Sequence, residues 1–143
     1  MGLGVAVRRL RSEARLPSYA TSGAAGLDLC ACLEEPLEVP PGSCRSIPTG
    51  LALAIPAGYV GLIRDRSSVA ASGLQVVAGV IDSDYRGEVL VALHNAGRDP
   101  RVVQHGERVA QMLVLPCPRV EVVESWNLPP TERGEGGFGS TGR

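Results

Sequence analysis

The sequence predicts an all-β protein, a sandwich, barrel or jelly roll. Its 143 residues include 18 Gly and 11 Pro, which are high numbers for a helical protein. The apolar residues fall into short runs of about four to eight, separated by Pro, Gly or Asn, as in β-strands joined by turns. Turn signals recur about every 8 to 12 residues, which favours a sandwich or jelly roll over alternating strands and helices.

Length and charge narrow the classes of function. A chain of 143 residues forms one domain that buries roughly 68 to 70% of its unfolded surface, so neither a metal nor a disulfide is needed for folding. The net charge of −1 offers no electrostatic attraction to nucleic acid or to a membrane surface. All 14 basic residues are Arg, which excludes a Schiff-base lysine and a P-loop lysine.

The cysteines and histidines show no pattern of metal ligands. No C-x-x-C pair is present, and the two histidines are not spaced as zinc ligands. No apolar stretch reaches the roughly 18 residues of a membrane span. We therefore expect a soluble cytoplasmic protein with free thiols; the residues concerned are Cys30, Cys32, Cys44, Cys117, His94 and His105.

The first strands contain one acidic residue that needs an explanation. Val5 to Leu10 and Ala24 to Ala31 are predicted strands, and Gly26 permits a close approach of another segment. Leu27 and Leu29 face one way and Asp28 the other. Asp28 lies either on the wet face of an edge strand or beside a partner that neutralises it.

The middle of the chain brings three polar residues to the start of a helical turn. Arg66-Ser-Ser68 precedes Val69 to Ser72, whose composition favours a single turn of helix. A guanidinium, two hydroxyls and free backbone N–H groups suit an anion, although a solvated turn is the alternative. The strands predicted before it are Cys44 to Ile47, Leu51 to Ile55 and Tyr59 to Ile63.

A polar reversal separates two further predicted strands. Val76 to Ile81 and Glu88 to Leu93 are apolar, and the residues between them place Asp82, Asp84 and Tyr85 at the tip of a hairpin. Asp and Gly are common in turns for backbone reasons, so the acids alone have two explanations. The tyrosine among charges favours a functional hairpin.

The last strands carry one polar residue within an apolar run. Gly106 to Pro116 is a predicted strand whose entry contains a bulge or an irregular turn, and the amide of Gln111 must be hydrogen-bonded there. Val120 to Val123 is predicted as a final strand, with Trp126 covering one end of the core.

The C-terminal segment is either a disordered tail or a lid. Five of the eleven residues from Arg133 to Arg143 are Gly, so the segment is too poor in apolar surface to fold alone. It contains Phe138, the only Phe, followed by two hydroxyl residues. An aromatic face, hydroxyl donors and glycine hinges favour a lid over a nucleotide.

Five segments together resemble the ordered motifs of the trimeric deoxyuridine triphosphate nucleotidohydrolases, the dUTPases. The resemblance spans residues 24 to 142. Five motifs in the same order are highly specific, although the second is not specific alone. The segments are Ala25-Gly-Leu-Asp-Leu29, Arg66-Ser-Ser68, Gly79-Val-Ile-Asp-Ser-Asp-Tyr-Arg-Gly87, Gly106-Glu-Arg-Val-Ala-Gln-Met112 and Arg133-Gly-Glu-Gly-Gly-Phe-Gly-Ser-Thr-Gly142.

The resemblance implies a jelly-roll-like β barrel that assembles as a homotrimer with three shared active sites. Residues 1–132 would form the barrel domain and residues 133–143 a flexible arm that closes over the site. The first, second and fourth motifs would come from one subunit, the hairpin from a second and the arm from the third.

The implied reaction is hydrolysis of dUTP to dUMP and pyrophosphate, which limits uracil incorporation into DNA and supplies dUMP for thymidylate synthesis. Asp82 matches the carboxylate that deprotonates the attacking water, and Tyr85 the residue that excludes a 2′-hydroxyl. Mg²⁺ would enter with the triphosphate as cofactor. Asp28 and Gln111 match positions that hold metal-bound or phosphate-bound waters.

The remaining implied contacts are with the base and the phosphates. Uracil would be recognised by the backbone of the hairpin, and Phe138 would stack on it. The residues implied are Gly79, Val80 and Ile81 for the base, Arg66, Ser67 and Ser68 for the phosphates, and Arg133, Gly139, Ser140 and Thr141 in the arm.

Two positions depart from the pattern of that family. Val76 stands where many bacterial members carry Asn, and Asp65 stands where Pro is common. The carboxylate of Asp65 would either steer Arg66 or weaken its hold on phosphate. For Asp84 we favour a structural role, pairing with an arginine or capping the turn. The alternatives to a dUTPase are the related dCTP deaminases and a catalytically idle nucleotide-binding trimer.

Overall fold

The computed structural model describes residues 2–142 and confirms the all-β class. Short apolar runs between Gly and Pro turns form eleven strands, and one short helix follows the sixth. The strands are β1 (Ala6–Arg9), β2 (Ser18–Tyr19), β3 (Leu27–Cys30), β4 (Leu37–Val39), β5 (Cys44–Ala54), β6 (Tyr59–Arg64), β7 (Leu74–Val77), β8 (Val80–Ile81), β9 (Glu88–Asn95), β10 (Arg101–Val103) and β11 (Arg108–Pro116); the helix is α1 (Ser67–Ala71).

Two antiparallel sheets pack around one apolar core. The four-stranded sheet has the order β1-β5-β9-β7, the five-stranded sheet has the order β2-β3-β11-β6-β8, and β10 pairs with β4. Alternation along β9 buries Val89, Val91 and Leu93. These side chains share a core with Leu29 and Met112 of the other sheet, so the sheets lie face to face.

One long strand replaces two predicted ones. The predicted strands Cys44 to Ile47 and Leu51 to Ile55 fall, except for Ile55, in the single strand β5. The expected turn between them is a bulge where the register against β9 shifts between Pro48 and Ala52. Thr49, within this bulge, satisfies a backbone group of the facing strand, because its Oγ1 donates to the carbonyl of Val89 at 2.6 Å. A bulge keeps the chain in its sheet where a turn would reverse it.

The predicted strand Val76 to Ile81 is wrong as one strand, because it is divided between the two sheets. β7 pairs with β9, whereas β8 pairs with β6 of the other sheet. The chain crosses at Ala78 and Gly79, which have φ angles of 62° and 111°. Left-handed backbone at two successive residues turns the strand out of its sheet.

The prediction of a final strand at Val120 to Val123 is also wrong. Residues 117–142 contain no strand, and the side chains of Val120, Val122 and Val123 are exposed. Trp126 is fully exposed, so it does not cover the core of its own chain. The apolar pattern was present, but a strand also requires a partner edge.

Several further predictions for the fold are confirmed. β1, β3 and β6 lie where the strands were expected, and β11 shifts register between Arg108 and Ala110 at the predicted bulge. All four cysteines are free. Burial raises the pKa of the Cys30 thiol above its ordinary value. None of the helical segments within residues 2–142 is long and apolar enough to cross a membrane.

Candidate active site

Asp28 joins two arginines from different parts of the chain. It lies on β3 opposite Gln111 of β11, and its side chain is only 12% exposed. Arg66 Nε lies 3.1 Å from Oδ1, and one terminal nitrogen of Arg108 lies 3.3 Å from Oδ2. Because β3 is also an inner strand, the explanation of Asp28 as a residue on a wet edge is excluded.

Arg66 and two hydroxyls lie where the sixth strand ends. Arg66 has extended backbone at the N-cap of α1, and Ser67 and Ser68 form its exposed first turn. An adjacent cavity of about 330 Å³, which we call the basic cavity, is lined by Arg66, Arg101 and Arg108, with Glu107 as its acidic residue. Asp28 also pairs with Arg66 and Arg108, so three guanidinium groups face two carboxylates, and the remaining positive charge favours an anion in this cavity.

Arg108 is a residue that the sequence analysis did not assign to the site. It lies within the fourth motif, three positions before Gln111, and shares Asp28 with Arg66. Its carbonyl also accepts a hydrogen bond from Arg66 at 3.3 Å. The position of Arg108 in that motif is the sequence feature that could have identified it as a site residue.

The two departures from the family pattern form a contact with each other. The Asp65 carboxylate accepts the backbone N–H of Val76 at 2.5 Å, so it ties the loop before α1 to β7. The Asp65 carbonyl accepts a hydrogen bond from Gln111 Nε2 at 2.8 Å, which satisfies the amide within the apolar run. The expectation that Asp65 acts directly on Arg66 is replaced by this tether, since Arg66 is paired with Asp28.

Replacement of the Asp65 carboxylate should lower stability. Asp65→Ala leaves the Val76 N–H without its acceptor, and we expect the free energy of unfolding to fall by about 1 to 2 kcal/mol. Asp65→Asn retains an acceptor oxygen and should lose less. Urea unfolding followed by far-ultraviolet circular dichroism at one protein concentration measures both, since the exposed Trp126 is a poor probe. Equal stability of Asp65→Ala and the natural protein would contradict the tether.

A second cavity, which we call the hairpin cavity, lies where the strand crosses between sheets. It has a volume of about 210 Å³ and is lined by residues 76–82, Tyr85, Glu88 and parts of β6 and β9. The Gly79 carbonyl accepts the N–H of Ile63 at 2.7 Å, and a Cβ on Gly79 would lie only 2.6 Å from the Ile63 carbonyl oxygen.

The turn after the hairpin cavity places Asp82 and Tyr85 together. The Tyr85 N–H donates to the Asp82 carbonyl at 3.1 Å, and its phenol donates to the Glu88 carbonyl at 2.7 Å. Asp82 is exposed, so water reaches its carboxylate. Arg86 closes the turn by donating to the Ser83 carbonyl at 2.7 Å. Within residues 2–142 the exposed carboxylate of Asp84 forms no ion pair.

The C-terminal arm does not reach either cavity of its own chain. Phe138 is fully exposed, and Arg133 Nε donates to the Gly136 carbonyl at 2.7 Å within the arm. A shallow cavity there is lined by arm residues and Glu132, including Ser140 and Thr141. A single chain therefore brings together Asp28, Arg66 and Gln111 in one place. It brings together residues 79–82 and Tyr85 in another, and its arm lies apart from both.

In the part of the chain that the structure describes, no three His, Cys, Asp or Glu side chains are grouped to hold a metal ion. Side-chain oxygens in and beside the basic cavity include those of Glu107, Asp28 and Gln111, and Asp28 is bound to two guanidinium groups.

The fold and the two cavities define a β-sandwich protein of the class that binds an anionic small molecule. A family model described as dUTPase matches residues 12–142. A deoxyuridine 5′-triphosphate nucleotidohydrolase from Anaplasma marginale (strain St. Maries) is 52% identical over 130 residues, covering 89% of this chain and 88% of the relative. The chain belongs to the dUTPase family.

Solved structures agree with this assignment. A mutant dUTPase of Staphylococcus bacteriophage 80alpha with dUpNHpp is 27% identical, with a TM-score of 0.90 over 98% of this chain and 99% of that chain. A mutant dUTPase from phage phi11 of S. aureus, described as revealing the coordination of a structural Mg(II) ion, is 23% identical with a TM-score of 0.81 over 89% and 99% of the two chains. The second likeness supports the fold alone.

Proposed function

We propose that this chain carries out the reaction of its family, hydrolysis of dUTP to dUMP and pyrophosphate, with Asp82 as the general base. One observation carries the proposal: Asp82 and Tyr85 line a single cavity together with residues 76–81. A carboxylate, an aromatic ring and the chain segment of residues 76–81 thereby lie around the same cavity. These are the parts needed to activate water, to select a sugar and to recognise a base.

Asp82 acts on the water that attacks the α-phosphorus. Its exposed carboxylate orients this water and accepts its proton as the new P–O bond forms and the bond to the pyrophosphate oxygen breaks. General-base assistance contributes about 10² to 10⁴ to a rate. No covalent enzyme intermediate is required.

The phosphates lie against α1 and the basic cavity. Arg66, Ser67 and Ser68 supply donors, and Gln111 orients a phosphate-bound water. Asp28 holds Arg66 at 3.1 Å, so the guanidinium is already placed before the triphosphate arrives. Positioned donors reduce the cost of binding, because fewer side-chain rotamers are lost.

Uracil is read by the backbone at Gly79, Val80 and Ile81, and Tyr85 packs under the deoxyribose. A buried donor or acceptor left unpaired costs about 1 to 3 kcal/mol, so fixed backbone groups discriminate uracil from cytosine. The Tyr85 phenol is engaged by the Glu88 carbonyl, which leaves the ring to face the sugar.

The residues present fit a magnesium ion that is held by the substrate. Asp28 and Gln111 offer oxygen atoms for water-mediated contact, and the described residues hold no cluster of direct ligands. Mg²⁺ binds readily through phosphates and retains waters. When bound, it neutralises charge on the triphosphate.

A homotrimer with shared sites completes the proposal. The basic cavity and the hairpin cavity have no lining residue in common, and the arm contacts neither. In addition, Val120, Val122, Val123, Trp126 and Leu128 form an exposed apolar segment, which is typical of a surface covered by a partner. Phe138 and the arm residues Arg133, Gly139, Ser140 and Thr141 would then close over the site of a neighbour.

An assay of pyrophosphate release tests the activity. The protein is incubated with Mg²⁺ and, separately, with dUTP, dCTP, dTTP and UTP. Pyrophosphate from dUTP alone is the expected result. Ammonia from dCTP would instead assign the chain to the deaminases, and binding of dUTP without turnover would assign it to an idle trimer.

The cytoplasmic location, supported by four free thiols, is tested by cell fractionation.

A further inference from the structure

A contact across 77 positions joins the N-terminal segment to the start of β9. A terminal nitrogen of Arg11 lies 2.9 Å from Glu88 Oε2, and these side chains are 37% and 24% exposed. Arg11 Nε also donates to Cys32 Sγ at 3.5 Å. The hydrogen bonds to Cys32 and then to Glu88 raise the pKa of Arg11 above its ordinary value. Neither Arg11 nor Glu88 matches a catalytic position of the proposed function.

The bulge in β5 holds the same carboxylate from a second side. The Gly50 N–H donates to Glu88 Oε2 at 3.0 Å. Gly50 has a φ of 69°, and a Cβ there would lie 2.8 Å from the Ala14 side chain, so the position requires glycine. Thr49 binds the next carbonyl, that of Val89. The bulge therefore directs its polar groups to the first two residues of β9.

The backbone of Glu88 in turn holds Tyr85. Its carbonyl accepts the phenol hydrogen at 2.7 Å. The ring lies against Gly87, where a Cβ would be 2.7 Å from Cζ of Tyr85. Since both contacts are with residues 87 and 88, a displacement of the start of β9 moves the ring.

We infer that Glu88, held by Arg11 and by the Gly50 N–H, is a positioning residue that orients the ring of Tyr85 and so sets the selection of deoxyribose over ribose. This inference rests on the proposed function, in which Tyr85 excludes a 2′-hydroxyl. Arg11 and Glu88 act through Tyr85. Loss of their ion pair loosens the ring, and the larger sugar is then admitted.

The test compares dUTP with UTP in the full-length protein. kcat/KM for each nucleotide is measured in the natural protein and in Arg11→Gln, Arg11→Lys and Glu88→Gln. Arg8→Gln is the matched control, because Arg8 is an exposed arginine of the neighbouring strand β1. We expect Arg11→Gln to lower the ratio of kcat/KM for dUTP to kcat/KM for UTP about fivefold or more, which is the size of the effect of one lost charged hydrogen bond. Arg11→Lys should recover part of the ratio, and Arg8→Gln should keep it.

Binding of dUMP and UMP provides a second readout that does not depend on turnover. If Arg11→Gln does not fold, Glu88→Gln decides, since its amide oxygen still accepts the Gly50 N–H. The inference is overturned if folded Arg11→Gln and Glu88→Gln show only a lower Tm and keep the natural preference for dUTP over UTP. The proposed function would still stand after that result. Natural protein that does not distinguish dUTP from UTP overturns the proposed role of Tyr85, and the inference with it.

Discussion

Asp82→Asn is expected to bind dUTP as the natural protein does and to lose about 10² to 10⁴ of its turnover. The amide has the size of the carboxylate but cannot accept the proton of the attacking water. Because the Asp82 side chain is exposed and its carbonyl, not its carboxylate, holds the turn through Tyr85, the fold should be unaffected. kcat from pyrophosphate release and Kd for dUpNHpp separate the two effects.

Asp84→Asn is the matched control for this experiment. Asp84 is an exposed acid two positions along the same turn, so the substitution changes the local charge by the same amount. If Asp84→Asn keeps near-normal turnover while Asp82→Asn loses most of it, the carboxylate of Asp82 is the one that acts in the reaction. Full activity of Asp82→Asn would refute its role as the base.

Deletion of residues 133–143 should leave a folded protein with little activity. Residues 133–142 contribute no side chain to the buried core, so Tm should hardly change. The loss of Arg133, Phe138 and two hydroxyl donors should lower kcat/KM for dUTP on the order of 10² or more, the cost of removing one well-placed donor from a closed site. Thermal unfolding and steady-state kinetics measure both. A truncated protein of normal rate would show that the arm is not a lid.

Mixing the two variants tests whether sites are shared between subunits. Asp82→Asn lacks a base and the truncated protein lacks an arm, but a hybrid trimer can combine an intact hairpin with an intact arm. We therefore expect activity above the sum of the separate variants after unfolding and refolding together. Strict additivity would indicate that each subunit contains its whole site.

Local sequence patterns predicted many of the strands and the parts of the site. Alternation of apolar and polar residues located β3, short apolar runs between turns located β6 and β9, and the irregular pattern after Gly106 located the bulge in β11. The five motifs identified the family, which the family model and the relative from Anaplasma marginale confirm. Each of these signals lies within a few consecutive residues, where side-chain direction follows directly from the backbone repeat.

Such local patterns could not predict contacts between residues that are distant in the sequence. Asp28 required a partner, but nothing in the sequence identified Arg66 and Arg108 as the two that reach it. The carboxylate of Asp65 was expected to act on Arg66, its neighbour, yet it binds the N–H of Val76. The apolar run at Val120 predicted a strand, but within residues 2–142 this segment pairs with no other strand.

The sequence by itself determined the all-β class, the family and the identity of the candidate chemical groups, because these depend on residue type and local order. Only the tertiary structure decided that the run from Val76 to Ile81 crosses between two sheets, and that Arg11 meets Glu88 behind Tyr85. Strand pairing and register bring together residues far apart in the chain. The free energy of that pairing comes from packing the whole core, so the pairing cannot be predicted from any one segment alone.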